Sequence, residues 1–109
     1  PDISGVGGII DMIKIIKLSH EKKVAVSPNC WNSMSIAASA MVHVCMSFAN
    51  TEMAEFFPEY IPYSLKFSNQ NYEIKDGFVK IEDNEGLGIN IDTKLLMEDT
   101  SSYRETELT

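Results

Sequence analysis

The sequence has 109 residues and lacks long apolar runs, paired cysteine motifs and an excess of basic residues. A membrane-spanning helix needs about 20 consecutive apolar residues, and no such stretch occurs, so we expect no membrane partner. Nine basic residues against sixteen acidic ones give a net charge of −7, which argues against a nucleic-acid partner.

Cysteine is scarce, and its two copies are widely spaced. Cys30 and Cys45 lie fifteen positions apart, without a Cys-x-x-Cys motif or a histidine at ligand spacing. That pattern indicates neither a zinc site nor a disulfide framework. Free thiols and the lack of a signal peptide together predict a cytoplasmic protein.

Alternating helix and strand signals fill the first half of the chain. Residues 8–20 carry apolar side chains at three- and four-residue spacing and predict a helix. Residues 23–27 then read as a short buried strand, which Pro28 ends because proline cannot donate a ladder hydrogen bond. Residues 33–46 predict a second helix, with Ser33 or Ser35 as its N-cap.

The second half changes in character. Residues 50–56 form a third strand candidate, after which prolines and polar residues punctuate a loop-rich segment. Asp76-Gly77 is a strong turn signal and predicts a hairpin between residues 72–74 and 78–81. We therefore divide the chain into βα units at 1–56, a loop and hairpin segment at 57–97, and a polar tail at 98–109.

Three polar residues stand where predicted extended segments give way to loops: Asp2, Asn29 and Glu55. They are 27 and 26 positions apart, about one βα repeat of a parallel barrel. Catalytic residues of such barrels lie at the C-terminal ends of the strands. The sequences around them read Pro1-Asp2-Ile3-Ser4-Gly5-Val6-Gly7-Gly8, Val26-Ser27-Pro28-Asn29 and Thr51-Glu52-Met53-Ala54-Glu55.

These stretches resemble the last three strand ends of the mandelate racemase and muconate lactonizing subgroup of the enolase superfamily. The similarity extends to Asp76-Gly77-Phe78 and to Gly86-Leu87-Gly88-Ile89-Asn90-Ile91-Asp92, and is greatest to sugar-acid dehydratases acting on galactonate or gluconate. The fold class implied is α/β, the C-terminal portion of a (β/α)₇β barrel, followed by a segment returning toward a capping domain. The absence of methionine at Pro1 fits the expectation of a fragment.

The resemblance also implies chemistry. Enzymes of this subgroup remove a proton next to a carboxylate with the help of Mg²⁺, whose ligands and lysine base lie on strands preceding those seen here. The expected partners are a small-molecule sugar acid, the rest of the barrel and further copies of the enzyme. The expected reaction is loss of water from an aldonate to give a 2-keto-3-deoxy acid.

Each candidate site residue takes its role from this resemblance. Asp2 matches an aspartate that orients a histidine on the next strand, although a turn or capping role is the alternative. Asn29 stands where the family has that histidine, and because asparagine cannot take up a proton at neutral pH, it can only hydrogen-bond. His20, at a helix end, and His43, inside a helix, are expected to be structural or surface residues.

Glu55 matches a glutamate that donates a hydrogen bond to the developing enolate, provided that it stays protonated. Glu52 competes with it, but alternation along a strand puts residues 53 and 55 on one face and favours Glu55. Trp31 is a candidate substrate-binding wall, with buried packing as the alternative. Its neighbour Asn32 shares that loop.

Two other readings remain open. A racemase or epimerase of the same superfamily shares the first proton abstraction but needs acid and base groups on both faces of the carbon, which Asn29 argues against. The second reading is non-enzymatic: a degenerate or partial chain that serves only in folding or assembly. An upstream sequence with three acidic strand ends, one βα unit apart, would favour the enzyme.

Overall fold

The structure is a computed structural model that describes residues 1–31, 33, 35–70 and 72–99. Asn32, Met34, Asn71 and most of the predicted tail, residues 100–109, lie outside the described residues. The elements in chain order are α1 (Ile9–Glu21), α2 (Ser35–Met46), a 3₁₀ turn (Pro58–Tyr60), α3 (Ile61–Ser64), β1 (Tyr72–Lys75), β2 (Phe78–Ile81) and α4 (Thr93–Glu98).

Three extended segments run side by side in the same direction at residues 1–3, 24–30 and 50–56. Isolated parallel bridges join Asp2 to Asn29 and Asn29 to Glu55. The prediction of regular strands at residues 23–27 and 50–56 is wrong, because the bridges do not extend into continuous ladders. Pro28 has no N–H to donate, and the first segment is too short to pair along the second.

Helices α1 and α2 pack on one side of these segments. The buried core includes one apolar stripe of α1, most faces of α2, and alternate residues of the second segment: Ile3, Met12, Ile16, Val26, Cys30, Ala38, Ala40, Met41, Val42 and Val44. Ala25 and Ser27 on the opposite face are exposed. The segments are therefore covered on one face only, as expected for part of a barrel wall.

Helix α1 agrees with its prediction and ends in a defined motif. The N–H of Val24 donates to the carbonyl of Ser19 at 2.9 Å, and that of Lys23 donates to His20 at 2.9 Å. Lys23 adopts a φ of 58°, the left-handed conformation such a helix end requires. The chain thus reverses sharply into the second segment.

Helix α2 begins later than predicted. Ser35 is its first helical residue, and Ser33 lies outside the helix with its hydroxyl 3.2 Å from the carbonyl oxygen of Trp31. The Ser35 N–H donates to Ser64 Oγ at 2.8 Å, so a hydroxyl from α3 satisfies a donor at the start of the helix. The residue before Ser35 lies outside the described residues.

The segment from residue 57 onward folds over α2. Strands β1 and β2 form the predicted antiparallel hairpin, in which Asp76 and Gly77 have φ values of 52° and 80°, as a type I′ turn requires. Ser39 Oγ on α2 donates to the Leu87 carbonyl at 2.6 Å. The Asp92 side chain caps α4, accepting from Leu95 N–H at 2.9 Å.

Within the ranges described, none of the helices has both the length and the apolar content that crossing a membrane requires.

Met12 on α1 is fully buried in the core, so shortening its side chain should lower the stability of the fold. We expect Met12→Ala to lower the free energy of unfolding by roughly 2 to 5 kcal/mol, measured by urea denaturation. Lys17→Ala on the exposed side of α1 is the matched control and should change it by less than about 0.5 kcal/mol. Equal losses for the two variants would contradict this packing.

Candidate active site

Asp2, Asn29 and Glu55 lie in one row across the C-terminal ends of the three parallel segments. Asn29 N–H donates to the Pro1 carbonyl at 3.0 Å, and the Asn29 carbonyl accepts from Ile3 N–H at 2.9 Å. Glu55 N–H donates to the Pro28 carbonyl at 3.0 Å. Since directly bridged residues of parallel strands point their side chains to the same face, the register brings all three to one surface.

The Asp2 carboxylate forms hydrogen bonds to two loops. Its Oδ1 accepts from the N–H groups of Ser4 and Gly5, each at 2.8 Å, and its Oδ2 accepts from Trp31 N–H at 2.6 Å. Bonds to an ionised acceptor are the stronger kind. The turn role considered for Asp2 is therefore present, and the same carboxylate also holds the loop that follows Asn29.

Asn29 is half-buried beside this anchor. Its Oδ1 lies 3.4 Å from the Trp31 nitrogen that also donates to Asp2. The Asp2 and Asn29 side chains thus converge on one N–H group. An orienting role of Asp2 toward residue 29 stays a prediction, but the two side chains occupy neighbouring positions.

Glu55, rather than Glu52, belongs to the row. Glu55 is exposed at the bridge with Asn29, and Met53 on the same face is 69% exposed. Glu52 instead lines a surface pocket together with His20 and Lys23, at the end of the segments where α1 finishes. Because Glu52 and Met53 are both exposed, burial does not alternate along this segment as predicted, and the preference for Glu55 rests on its bridge to Asn29.

The two histidines lie away from the row. His20 is near the end of α1, next to the pocket that contains Glu52. His43 lies within α2, and its Nδ1 is 2.8 Å from the Ser39 carbonyl oxygen, a local contact along the helix. Neither histidine lies in the row with Asn29, in agreement with the expectation that both are structural or surface residues.

Trp31 is exposed beside the row. Its side chain is 63% exposed, so the described residues of this chain do not bury it, and its role as a substrate-binding wall stays a prediction. The indole meets the Phe57 ring edge to face, with centroids 4.8 Å apart and planes at 87°. Phe57 is a residue the sequence prediction missed, although its place two residues after Glu55 puts it on the neighbouring loop.

Comparisons with known proteins identify the family. The model of the family described as enolase C-terminal domain-like matches residues 1–95. The chain belongs to the enolase C-terminal domain-like family. The predicted membership of the enolase superfamily and the α/β fold class of its C-terminal part are thereby confirmed.

A solved structure is similar in both sequence and fold. It is the crystal structure of an enolase from the environmental genome shotgun sequencing of the Sargasso Sea, with 49% sequence identity and a TM-score of 0.84. The match covers 90% of this chain and 26% of that one, so this chain spans about a quarter of its relative's length. A comparison with curated proteins finds no match.

The described part of this enolase-family chain does not fit a magnesium ion. No group of three His, Cys, Asp or Glu side chains among those residues could hold a metal. The Asp2 carboxylate already accepts three backbone N–H groups, and Glu55 and Glu52 lie at different ends of the third segment.

Both cysteines have weakly acidic thiols. Burial, and secondarily the Asp2 charge, raises the pKa of Cys30 from 9.0 to about 11. Burial, and secondarily the neighbouring Cys30, raises the pKa of Cys45 to about 11 as well. The Asp2 carboxylate accepts from the N–H of Trp31, the residue that follows Cys30. The neutral thiols behave as core residues.

These pKa values predict how stability and thiol reactivity vary with pH. Because folding raises both values, the neutral thiols contribute stability that is fully present below pH 9 and is lost as the pH rises toward 11. Iodoacetamide should therefore label the folded chain much more slowly than the urea-unfolded chain at pH 8.5. Asp2→Asn should lower the pKa of Cys30 in particular, and equal labelling rates of the folded and unfolded chains would contradict the assignment.

Proposed function

We propose that this chain forms one wall of the active site of a sugar-acid dehydratase of the enolase superfamily. The observation that carries the proposal is the row of Asp2, Asn29 and Glu55, joined by parallel bridges at the C-terminal ends of the segments. That end of a parallel barrel is where catalytic groups are found. The substrate class is an aldonate related to galactonate or gluconate, as the sequence resemblance implies.

The proposed reaction begins with removal of the proton on the carbon next to the substrate carboxylate. The electron pair moves into the carboxylate to give an enediolate, the hydroxyl on the next carbon leaves as water, and tautomerisation yields a 2-keto-3-deoxy acid. The base that takes the proton lies outside this chain, in line with the family pattern. Any magnesium ion is also bound outside it, and the roles below concern only this chain's own residues.

Glu55 is assigned as a hydrogen-bond donor to the developing enediolate. A carboxyl group serves this purpose only when protonated, and burial is what favours the protonated form. Glu55 is exposed in this chain. In the proposed site, apolar cover over Glu55 would have to come from the substrate and from the remaining walls of the barrel.

Asn29 is assigned as a neutral hydrogen-bonding group for a substrate hydroxyl. Its amide has both donor and acceptor atoms but transfers no proton. The proton that converts the departing hydroxyl into water must then come from a group other than residue 29. This distinguishes the site from one with histidine at that position and favours dehydration over racemisation, which needs a second acid–base group.

Asp2 is assigned as a positioning residue. A carboxylate offers about four acceptor sites, of which Ser4, Gly5 and Trp31 occupy three, so Oδ2 retains capacity for one further donor. In the present chain the carboxylate fixes the loop after Asn29. With an imidazole at position 29, the same oxygen could accept its N–H.

Replacing Glu55 tests the proposed donor. In the full-length enzyme, Glu55→Ala should slow hydrogen–deuterium exchange next to the aldonate carboxylate by roughly 10²- to 10³-fold, the usual effect of losing one such donor. Glu55→Gln, which retains an N–H donor, should restore most of the rate. The exchange is measured by NMR in heavy water with galactonate and gluconate.

Glu52→Ala is the matched control, since it removes the same group three residues away at the opposite end of the segment. Its exchange rate should equal that of the unmodified enzyme. The assignment of Glu55 would be contradicted if Glu52→Ala slowed exchange as much as Glu55→Ala, or if neither variant slowed it. If the unmodified enzyme exchanged no aldonate proton, the proposed function itself would be contradicted.

Restoring histidine tests the relation of Asp2 to residue 29. Asn29→His should accelerate the same exchange by on the order of 10²- to 10⁴-fold, because it adds a general base that Asp2 can orient. Asp2→Asn in the Asn29→His background should cancel much of the gain. If Asn29→His leaves exchange unchanged while the enzyme still binds substrate, Asp2 and residue 29 are not functional partners.

A further inference from the structure

Two independent contacts fix Trp31 beside the row, one through its backbone and one through its ring. The Trp31 N–H donates to Asp2 Oδ2 at 2.6 Å, which ties the residue to the first segment. Its indole packs against Phe57, which follows the third segment, at a centroid distance of 4.8 Å. Trp31 is thus held from both neighbouring segments, by its backbone on one side and by its ring on the other.

The geometry of the aromatic pair leaves the indole free to bind. With ring planes at 87°, Phe57 covers at most one face of the indole. Trp31 is 63% exposed, so the described residues of this chain leave most of its side chain uncovered. A fixed aromatic ring with an open face is a rigid contact surface that costs little conformational entropy to use.

We infer that Trp31 is a specificity-determining wall for the carbon-bound hydrogens of a polyhydroxy acid, and that Phe57 is the positioning residue that fixes its ring. The electron-rich face of an indole attracts hydrogens made partly positive by neighbouring hydroxyl groups. The polar row of Asp2, Asn29 and Glu55 contacts the end of the ligand that carries the carboxylate and hydroxyl groups. Trp31 contacts the face that carries the C–H groups. This inference rests on the proposed function for the class of ligand.

The test uses the full-length enzyme labelled with 5-fluorotryptophan, with the Trp31 fluorine resonance assigned by loss of a signal in Trp31→Phe. Titration with gluconate and galactonate should shift that resonance saturably, and at least one of the two should do so. Phe57→Leu should weaken the apparent affinity by about two- to tenfold, the range expected for loss of one aromatic pair. Phe57→Tyr retains the ring and should restore the affinity.

A matched control removes an aromatic ring elsewhere. Phe78 in the hairpin is 78% exposed and lies outside this loop cluster, so Phe78→Leu should leave both the Trp31 resonance and the affinity unchanged. A positioning role for Phe57 further predicts a rise in KM with kcat nearly retained, because the wall binds ground state and transition state alike. A purely structural defect would instead lower the fraction of active enzyme and hence kcat.

The outcomes separate this inference from the proposed function. If the unmodified enzyme exchanges the aldonate proton but the Trp31 resonance does not respond, the substrate-binding role of Trp31 is refuted and the dehydratase proposal stands. If the resonance responds and Phe57→Leu weakens binding while no exchange occurs, the substrate-binding role of Trp31 is supported and the dehydratase proposal fails. If Phe57→Tyr binds as weakly as Phe57→Leu, the positioning role of the ring is refuted.

Discussion

The backbone of Asn29 is the constraint on which the rest of the site depends. Its N–H and carbonyl bond to the first segment, at Pro1 and Ile3, while the adjoining Pro28 carbonyl accepts from Glu55 on the third. This central position sets the register, and a shift by one residue would turn the side chains of a segment to the opposite face. Pro28 can accept but cannot donate, so it adds only the bond from Glu55. A second bond between the same two segments, from Val26 N–H to the Asn50 carbonyl at 2.8 Å, lies toward their opposite end.

The packing explains why one face of these segments is free to carry chemistry. Val26, Pro28 and Cys30 face the helices and are buried, whereas Ala25 and Ser27 alternate with them and are exposed. The core beneath α1 and α2 therefore supports the segments from one side only. The opposite face is where a barrel completed by further strands would enclose its interior, and the Asp2, Asn29 and Glu55 row stands at the rim of that face.

Much of this arrangement follows from local sequence signals. The apolar period of α1, the Asp76-Gly77 turn and the one-repeat spacing of the three site residues each encode geometry within a short stretch, and the structure agrees with them. The start of α2 depends on a hydroxyl from α3, and the lack of continuous ladders depends on how few partners each segment has. Trp31 and Phe57 are 26 positions apart, the same separation as Asn29 and Glu55, so the repeat spacing brings their loops together, but only the structure shows that the two rings touch.

The most direct test of the central claim is a crystal structure of the full-length enzyme with an aldonate bound. We expect Asn29 and Glu55 to lie at the same end of the barrel and to contact the ligand, with Asp2 bonded to the backbone N–H of Trp31. Ligand bound at the opposite end of the segments, near Glu52 and His20, would contradict it. So would a register in which Glu55 no longer pairs with Asn29.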